Sequence, residues 1–251
     1  MATSMKGKDP TQPDYGIDAP AVLKSMLTRG LVFAGFGVLI WFMNRNLAPG
    51  RAAGMLVVLA AVGIVYLAVA GVMFWSSRVG KVRVRDRVLT ALELKGDEKV
   101  LDVGCGRGLF LIGAAQRLTS GRGTGVDIWS AEDLSSNSAD AAKANAKAEG
   151  VADRIRIEEA DARKLPFAND TFDVVLSSLA IHNIDERQER AEAISEMVRV
   201  LKPGGRMALF DIQHTKEYAR DLENRGFRDV VLSPLSFLWC QPSRFLTARK
   251  P

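Results

Sequence analysis

The sequence predicts an α/β domain with a parallel sheet covered by helices on both faces, preceded by a transmembrane helical hairpin. Residues 52–75, AAGMLVVLAAVGIVYLAVAGVMFW, carry no charged side chain and a single polar handle, Tyr66. From residue 82 onward, short apolar runs alternate with helical stretches, which is how strands joined by crossover helices are written. Charge divides at the same place: Lys and Arg outnumber Asp and Glu by 11 to 4 through residue 90, and then fall behind, 23 to 25.

That division says where the high isoelectric point comes from. The basic excess belongs to the N-terminal segment and not to the folded domain. A nucleic-acid enzyme carries its basic patch on the catalytic domain, so nucleic acid is not the expected partner. A basic segment beside an apolar one suits an anionic membrane surface instead. The two cysteines, Cys105 and Cys240, build no disulfide framework and have no metal-ligand spacing. They fit a reducing compartment, and no metal is expected.

The apolar segments come first in the chain. A helix over residues 52–75 is about 36 Å long, enough to cross a hydrocarbon core of about 30 Å. A core helix of a soluble domain is rarely apolar on every face over such a length. The earlier run GLVFAGFGVLIWFM, residues 30–43, is short for a span and has the length of a signal-peptide core. The stretch before it is long and mixed, with three Asp among its Lys and Arg, which argues against a signal peptide. Extending the run back to residue 26, with Arg29 snorkelling, gives a workable span. Trp41 suits an interfacial position. The linker NRNLAPGR, residues 44–51, supplies Asn, Pro and Gly for a tight turn. Basic residues flank the pair: Lys6, Lys8, Lys24 and Arg29 before it, and Arg78, Lys81, Arg83, Arg85 and Arg87 after it. The positive-inside bias then puts both ends in the cytoplasm. The expected organisation is an arm over 1–25, a hairpin over 26–77 with spans near 26–46 and 52–75, and a domain over 78–251 facing the cytoplasm from the inner membrane. The alternative is one span with an interfacial first segment.

In the domain, an amphipathic stretch VRVRDRVLTALEL leads to the apolar run KVLDVG. Further strand candidates are RGTGVDI, RIRIEEA, FDVVLSS, GRMALFDI, FRDVVLSP and RFLTARK, separated mostly by helical stretches such as SADAAKANAKAEG and RQERAEAISEMVRVL. Ligands of parallel sheets sit at the C-terminal strand ends, where strand order reverses.

The first strand ends in DVGCGRG, with Gly104, Gly106 and Gly108. Glycines there permit a tight turn and a close backbone approach to a ligand, and the helix that follows aims its N-terminus at an anion. A dinucleotide loop reads G-x-G-x-x-G; here the third glycine comes one residue early, and Leu109 holds the position it would need. Cys105 reads as a small filler in the loop. Asp127 ends the second strand, at a distance suited to both ribose hydroxyls. Asp161 follows the third strand and, beside the Ala162 amide, has the groups to read an adenine edge. With Asp102, three acids after three successive strands form a nucleoside constellation without a phosphate-binding Lys or Arg cluster. Helix capping explains any one of the three acids, but poorly all three.

The stretches VLDVGCGRG, GTGVDI, EEADARKLPFANDTFDVVLSSLAIHNI and RVLKPGGRMALFDI resemble a class I S-adenosylmethionine-dependent methyltransferase of the type 11 kind, over residues 98–213. The resemblance implies a Rossmann-like seven-stranded sheet, mostly parallel, with RFLTARK as an antiparallel last strand and LKPGG as the turn into the fifth. It implies S-adenosylmethionine as cofactor. Asp102, Gly104, Cys105, Gly106 and Gly108 would hold its methionine end, Asp127 the ribose, Ile128 the adenine face, and Asp161 with Ala162 the adenine edge. Ser178, closing the fourth strand, would line the same site.

Methyl transfer from a sulfonium is an in-line displacement, so alignment supplies much of the catalysis, and a base is needed only where the nucleophile must lose a proton. The loop LAIHNI borders the methyl group in the family. His182, with Asn183 beside it, is therefore a candidate base or substrate-orienting donor; the alternative is a helix cap or a loop hydrogen bond. His214, after the fifth strand, is a weaker candidate. Tyr15 and Asp18, in the proline-bounded run PDYGIDAP, are polar handles on an arm able to cover the site as a lid. A catalytic domain tied to the bilayer meets membrane-dissolved substrates directly. The expected acceptor is thus small and lipophilic: a lipid, a quinone or other isoprenoid, or a hydrophobic thiol or amine. The rivals are a methyltransferase of a soluble small molecule, a cofactor-binding membrane sensor without turnover, and a nicotinamide oxidoreductase, which Asp161 and the glycine spacing disfavour.

Overall fold

A computed structural model describes residues 12–129 and 137–251. It divides into two compact units: a helical hairpin, Ile17–Lys81, and a catalytic unit made of Val82–Pro251 together with residues 12–16 of the arm. Residues 1–11 of the arm and residues 130–136 lie outside the described part.

The hairpin consists of α1 (Pro20–Asn44) and α2 (Pro49–Trp75). Each begins with a proline in its first turn, where the missing N–H costs nothing and the fixed φ favours the helix. For that reason α1 starts six residues before the expected span. The two helices are antiparallel and meet through small residues. Gly30, Gly37, Ala52, Gly63 and Ala70 are buried, and a Cβ on Gly63 would stand 2.8 Å from the Gly30 carbonyl oxygen. Phe33 stacks on Tyr66 at 5.6 Å between ring centres. The large side chains point outward: Leu31, Val32, Phe36 and Phe42 on α1, and Val57, Val58, Ile64 and Val65 on α2, are all more than half exposed. This inverts the order of a water-soluble helix pair, where large apolar side chains are the ones buried. Both helices are long and apolar enough to cross a membrane. At the base of this unit, after a π-helical turn over Ser76–Gly80, Lys81 approaches Asp18 at 3.5 Å.

The catalytic unit begins at Val82 within α3 (Lys81–Ala91) and then alternates: β1 (Lys99–Val103), α4 (Leu109–Ala115), β2 (Arg122–Asp127), α5 (Ala139–Ala148), β3 (Ile155–Glu159), β4 (Phe172–Ser178), α6 (Arg187–Val200), β5 (Leu201–Asp211), α7 (Thr215–Asn224), β6 (Arg228–Leu232) and β7 (Arg244–Arg249). The seven strands form one sheet in the order β3-β2-β1-β4-β5-β7-β6. Only β7 runs against its neighbours. The expected seven-stranded, mostly parallel architecture is what the chain adopts.

Alternation along the central strands makes two cores. Leu101, Val175 and Leu209 face α6 and α7 through Ile194, Met197 and Leu222, while Val100, Val174 and Ala208 face α3 and α4 through Val88, Leu89 and Phe110. Burial on both faces explains why β1 and β4 read as nearly unbroken apolar runs. The LKPGG segment differs slightly from a simple turn. Leu201 pairs with Phe172 and Arg206 with Val174, so residues 202–205 loop out within β5, with Gly204 at φ 72°. Strand order reverses between β1 and β4, which sets the ligand crevice at the C-terminal ends of these strands.

Candidate functional site

The glycine-rich loop lies at that crevice. Gly104, Gly106 and Gly108 all have left-handed backbones, at φ 72°, 53° and 83°. At Gly104 the requirement is double, because a Cβ there would overlap the Ala180 side chain in the loop after β4. The Gly104 and Cys105 amides bond the Val126 carbonyl at 2.8 and 3.0 Å, which ties the loop to β2. The Cys105 sulfur is turned inward against Gly125. Burial, followed by the nearby acids, pushes its thiol well above the ordinary range, which suits a side chain that fills space against β2.

Asp102 is 1% exposed, and among the described residues neither carboxylate oxygen has a hydrogen-bond partner. Burial pushes its pKa up to about 7; the Leu111 amide, short of a well-formed hydrogen bond, tempers the rise and Asp127 adds to it. A buried acid without a donor is costly, and the ammonium of an amino-acid ligand is the kind of group that would satisfy it. Asp127 accepts the Gly106 amide at 2.7 Å and the Trp129 amide at 2.7 Å, so its carboxylate closes the loop on one side. Ile128 follows it, 62% exposed at the crevice, where a flat ring would cover it.

Asp161 is held by its own neighbour. The Arg163 guanidinium donates to it at 2.6 to 3.0 Å and also to Glu189, and this pairing lowers the Asp161 pKa. The Ala162 amide has no hydrogen-bond partner among the described residues. Ser178 closes β4 beside Leu179, whose φ is 54°. Trp129 after β2, Leu179 after β4 and His214 after β5 all have positive φ without being glycine. Such backbones, sparsely populated elsewhere, gather at functional edges.

His182 lies on a short turn, Ile181–Asn183, after β4. Its Nδ1 is 2.6 Å from Asp211 Oδ1, off the line of a ring hydrogen bond, and its backbone N–H donates to Asp211 Oδ2 at 3.2 Å. Asp211 ends β5, is 2% exposed, and also accepts the Tyr218 hydroxyl at 3.5 Å. Burial, then Asp211, raises the Tyr218 pKa. Neither Asp211 nor Tyr218 was among the expected site residues. The signal for Asp211 was in the sequence: ALFDI is an acid closing an apolar strand, the same pattern that marks Asp102 and Asp127. Asn183 is exposed. His214 caps α7 and lines a cavity of about 210 Å³ with Ile212, Leu235, Pro242 and Arg244.

Tyr15 and Asp18 fall in different units. Tyr15 packs against Ile112, Ala115, Ala146 and Val151 and donates to Glu149. Asp18 belongs to the hairpin, where its amide donates to Ser77 Oγ at 3.1 Å.

Comparisons with known proteins bear on the domain as a whole. Residues 100–205 match the family described as "Methyltransferase domain". The chain is 35% identical to methyltransferase GfsG of Streptomyces halstedii over 52% of its length and 43% of that protein. It is 32% identical to demethylmenaquinone methyltransferase of Lactiplantibacillus plantarum over 51% of its length and 50% of the relative. The match thus spans about half the length of these relatives. A geranyl diphosphate C-methyltransferase of Streptomyces coelicolor, solved with S-adenosyl-L-homocysteine, shares the fold at 17% identity and a TM-score of 0.53, covering 67% of this chain and 79% of that one. The orphaned carboxylate of Asp102 and the close approach at Gly104 fit such a cofactor, and residues 100–205 match a methyltransferase domain.

Proposed function

We propose that the protein is a membrane-anchored methyltransferase of the cytoplasmic membrane, with its catalytic domain on the cytoplasmic side and a small lipophilic acceptor. The observation that carries this reading is the inverted hairpin. Its small residues are buried and its large apolar side chains face outward, a surface that water would penalise by about 25 cal/mol for each Å² and that lipid accepts. Membrane helices associate through such small-residue contacts. A relative named as a demethylmenaquinone methyltransferase supports an isoprenoid quinone as one acceptor class.

S-adenosylmethionine supplies an electrophilic methyl group on a positively charged sulfur. Asp102 would take the cofactor's ammonium, Asp127 both ribose hydroxyls, Ile128 the adenine face, and Asp161 with the Ala162 amide the adenine edge. For Asp161 this means sharing its carboxylate with Arg163. His182 would accept a proton from an acceptor hydroxyl, thiol or acidic carbon, and Asp211, 2.6 Å from its Nδ1, would stabilise the protonated ring. Asn183 adds an exposed amide beside it. The groove beside His214 opens at the end of β5, lined by Ile212 and Leu235 together with Lys216 and Arg244.

The test is transfer of labelled methyl from S-adenosylmethionine by the detergent-solubilised full chain to a total membrane extract. An Asp102→Ala, Asp127→Ala double variant serves as control. Label entering the organic phase only with the intact protein is the expected result. Label entering only water-soluble products would overturn the lipophilic acceptor.

A further inference from the structure

We infer that Asp14 and Asn145 are positioning residues for the cofactor loop: the arm is a strap on the loop's outer side. The inference rests on the cofactor assignment alone and is independent of the acceptor and of the membrane.

Arg107 is the middle residue of the loop, flanked by Gly106 and Gly108, whose left-handed backbones give the segment little stiffness of its own. It is held at both its side chain and its main chain. The Arg107 Nη2 donates to Asp14 Oδ2 at 2.8 Å, with the two side chains only 11% and 13% exposed. The Arg107 carbonyl accepts Asn145 Nδ2 at 2.9 Å. Asn145, on α5 and 4% exposed, also joins the arm's backbone twice: it accepts the Asp14 amide at 2.7 Å and donates to the Asp14 carbonyl at 2.9 Å. Asp14 Oδ1 takes the Gly16 amide at 3.1 Å, which turns the arm, and Tyr15 is seated between α4 and α5. One residue away from this knot, the Gly106 amide donates to Asp127, the acid assigned to the ribose. A loop with two flexible glycines is therefore fixed from behind at the residue between them, next to the group that reads the cofactor. Preorganisation of this kind saves the ordering cost that a ligand otherwise meets on binding.

The experiment titrates S-adenosylhomocysteine into the detergent-solubilised full chain and follows amide exchange over residues 104–109 in its absence. Asp14→Asn removes the charge facing Arg107 and preserves the shape of the side chain. Asp14→Glu keeps the charge. Asp173→Asn, which removes the charge facing Lys202 at the N-terminal ends of β4 and β5, away from the loop, loosens the domain elsewhere and serves as the stability control. We expect Asp14→Asn to weaken binding about tenfold, within the range of ordinary coupling between sites, and to speed exchange in the loop. Asp14→Glu should recover most of the affinity, and Asp173→Asn should stay within about twofold of the parent. Unchanged affinity in Asp14→Asn overturns the inference. Equal weakening in Asp173→Asn overturns it too, since general loosening would then explain the effect.

Discussion

Replacing Asp102 by Asn should stabilise the ligand-free protein at alkaline pH while weakening its hold on the cofactor. The carboxyl is buried without a hydrogen-bond partner among the described residues and has its pKa pushed up to about 7, against 3.8 for an unperturbed aspartate in the unfolded chain. Between those two values the folded state binds the proton that the unfolded state has released. Stability contributed by this group therefore falls as pH rises from about 4 to 7 and stays low above 7. Each pH unit in that window is worth about 1.4 kcal/mol, so from pH 5 to pH 7 the parent loses about 3 kcal/mol that the Asn variant does not lose. For a domain of this size that is a melting-temperature difference of roughly 5–10 °C. Melting curves of the two full-length proteins in detergent, at pH 5 and pH 8, measure it: the variant should gain on the parent between the two. Titration with S-adenosylhomocysteine measures the functional side. If the cofactor ammonium needs the ionised carboxylate, the parent binds about tenfold more weakly at pH 6 than at pH 8, and the variant loses both affinity and pH dependence. A pH-independent stability difference between the two proteins would refute the burial of an orphaned charge, and undiminished binding by the variant would refute its role toward the ammonium.

Three further outcomes test other parts of the site and the hairpin. Gly104→Ala forces a left-handed backbone on a residue with a Cβ and drives that atom into Ala180; a loss of about 2–3 kcal/mol in unfolding free energy, with abolished titration by S-adenosylhomocysteine, is expected. His182→Gln and Asp211→Asn should each slow transfer of labelled methyl to a proton-bearing acceptor by about 10²-fold or more, with cofactor affinity within about twofold of the parent; an unaltered rate in both would remove the base. In the hairpin, cysteines replacing Phe33 and Tyr66, whose rings stack, should cross-link in membranes. Adding Gly63→Leu, which pushes a side chain against the Gly30 carbonyl, should abolish that cross-link.

What was legible in the sequence follows from how far each signal reaches. Strand alternation, the glycine loop and the acids at strand ends are written in runs of five to ten residues, and the backbone obeys them because burial on both sheet faces leaves no other arrangement. The double membership of one strand, with Val100 in one core and Leu101 in the other, is the same signal read at period two. Contacts between distant parts of the chain are written nowhere locally. Asp14 meets Arg107 across 93 positions and Asn145 across 131, so no local run of the arm announces that Asp14 and Tyr15 engage the loop, α4 and α5. Asp211 is the instructive case between these extremes. Its position at the end of β5 was readable, yet its proximity to His182 depends on β4 and β5 being neighbours in register, with Ser178 opposite Phe210. Where two strands end side by side, the residues that follow one and close the other are brought together by the sheet itself.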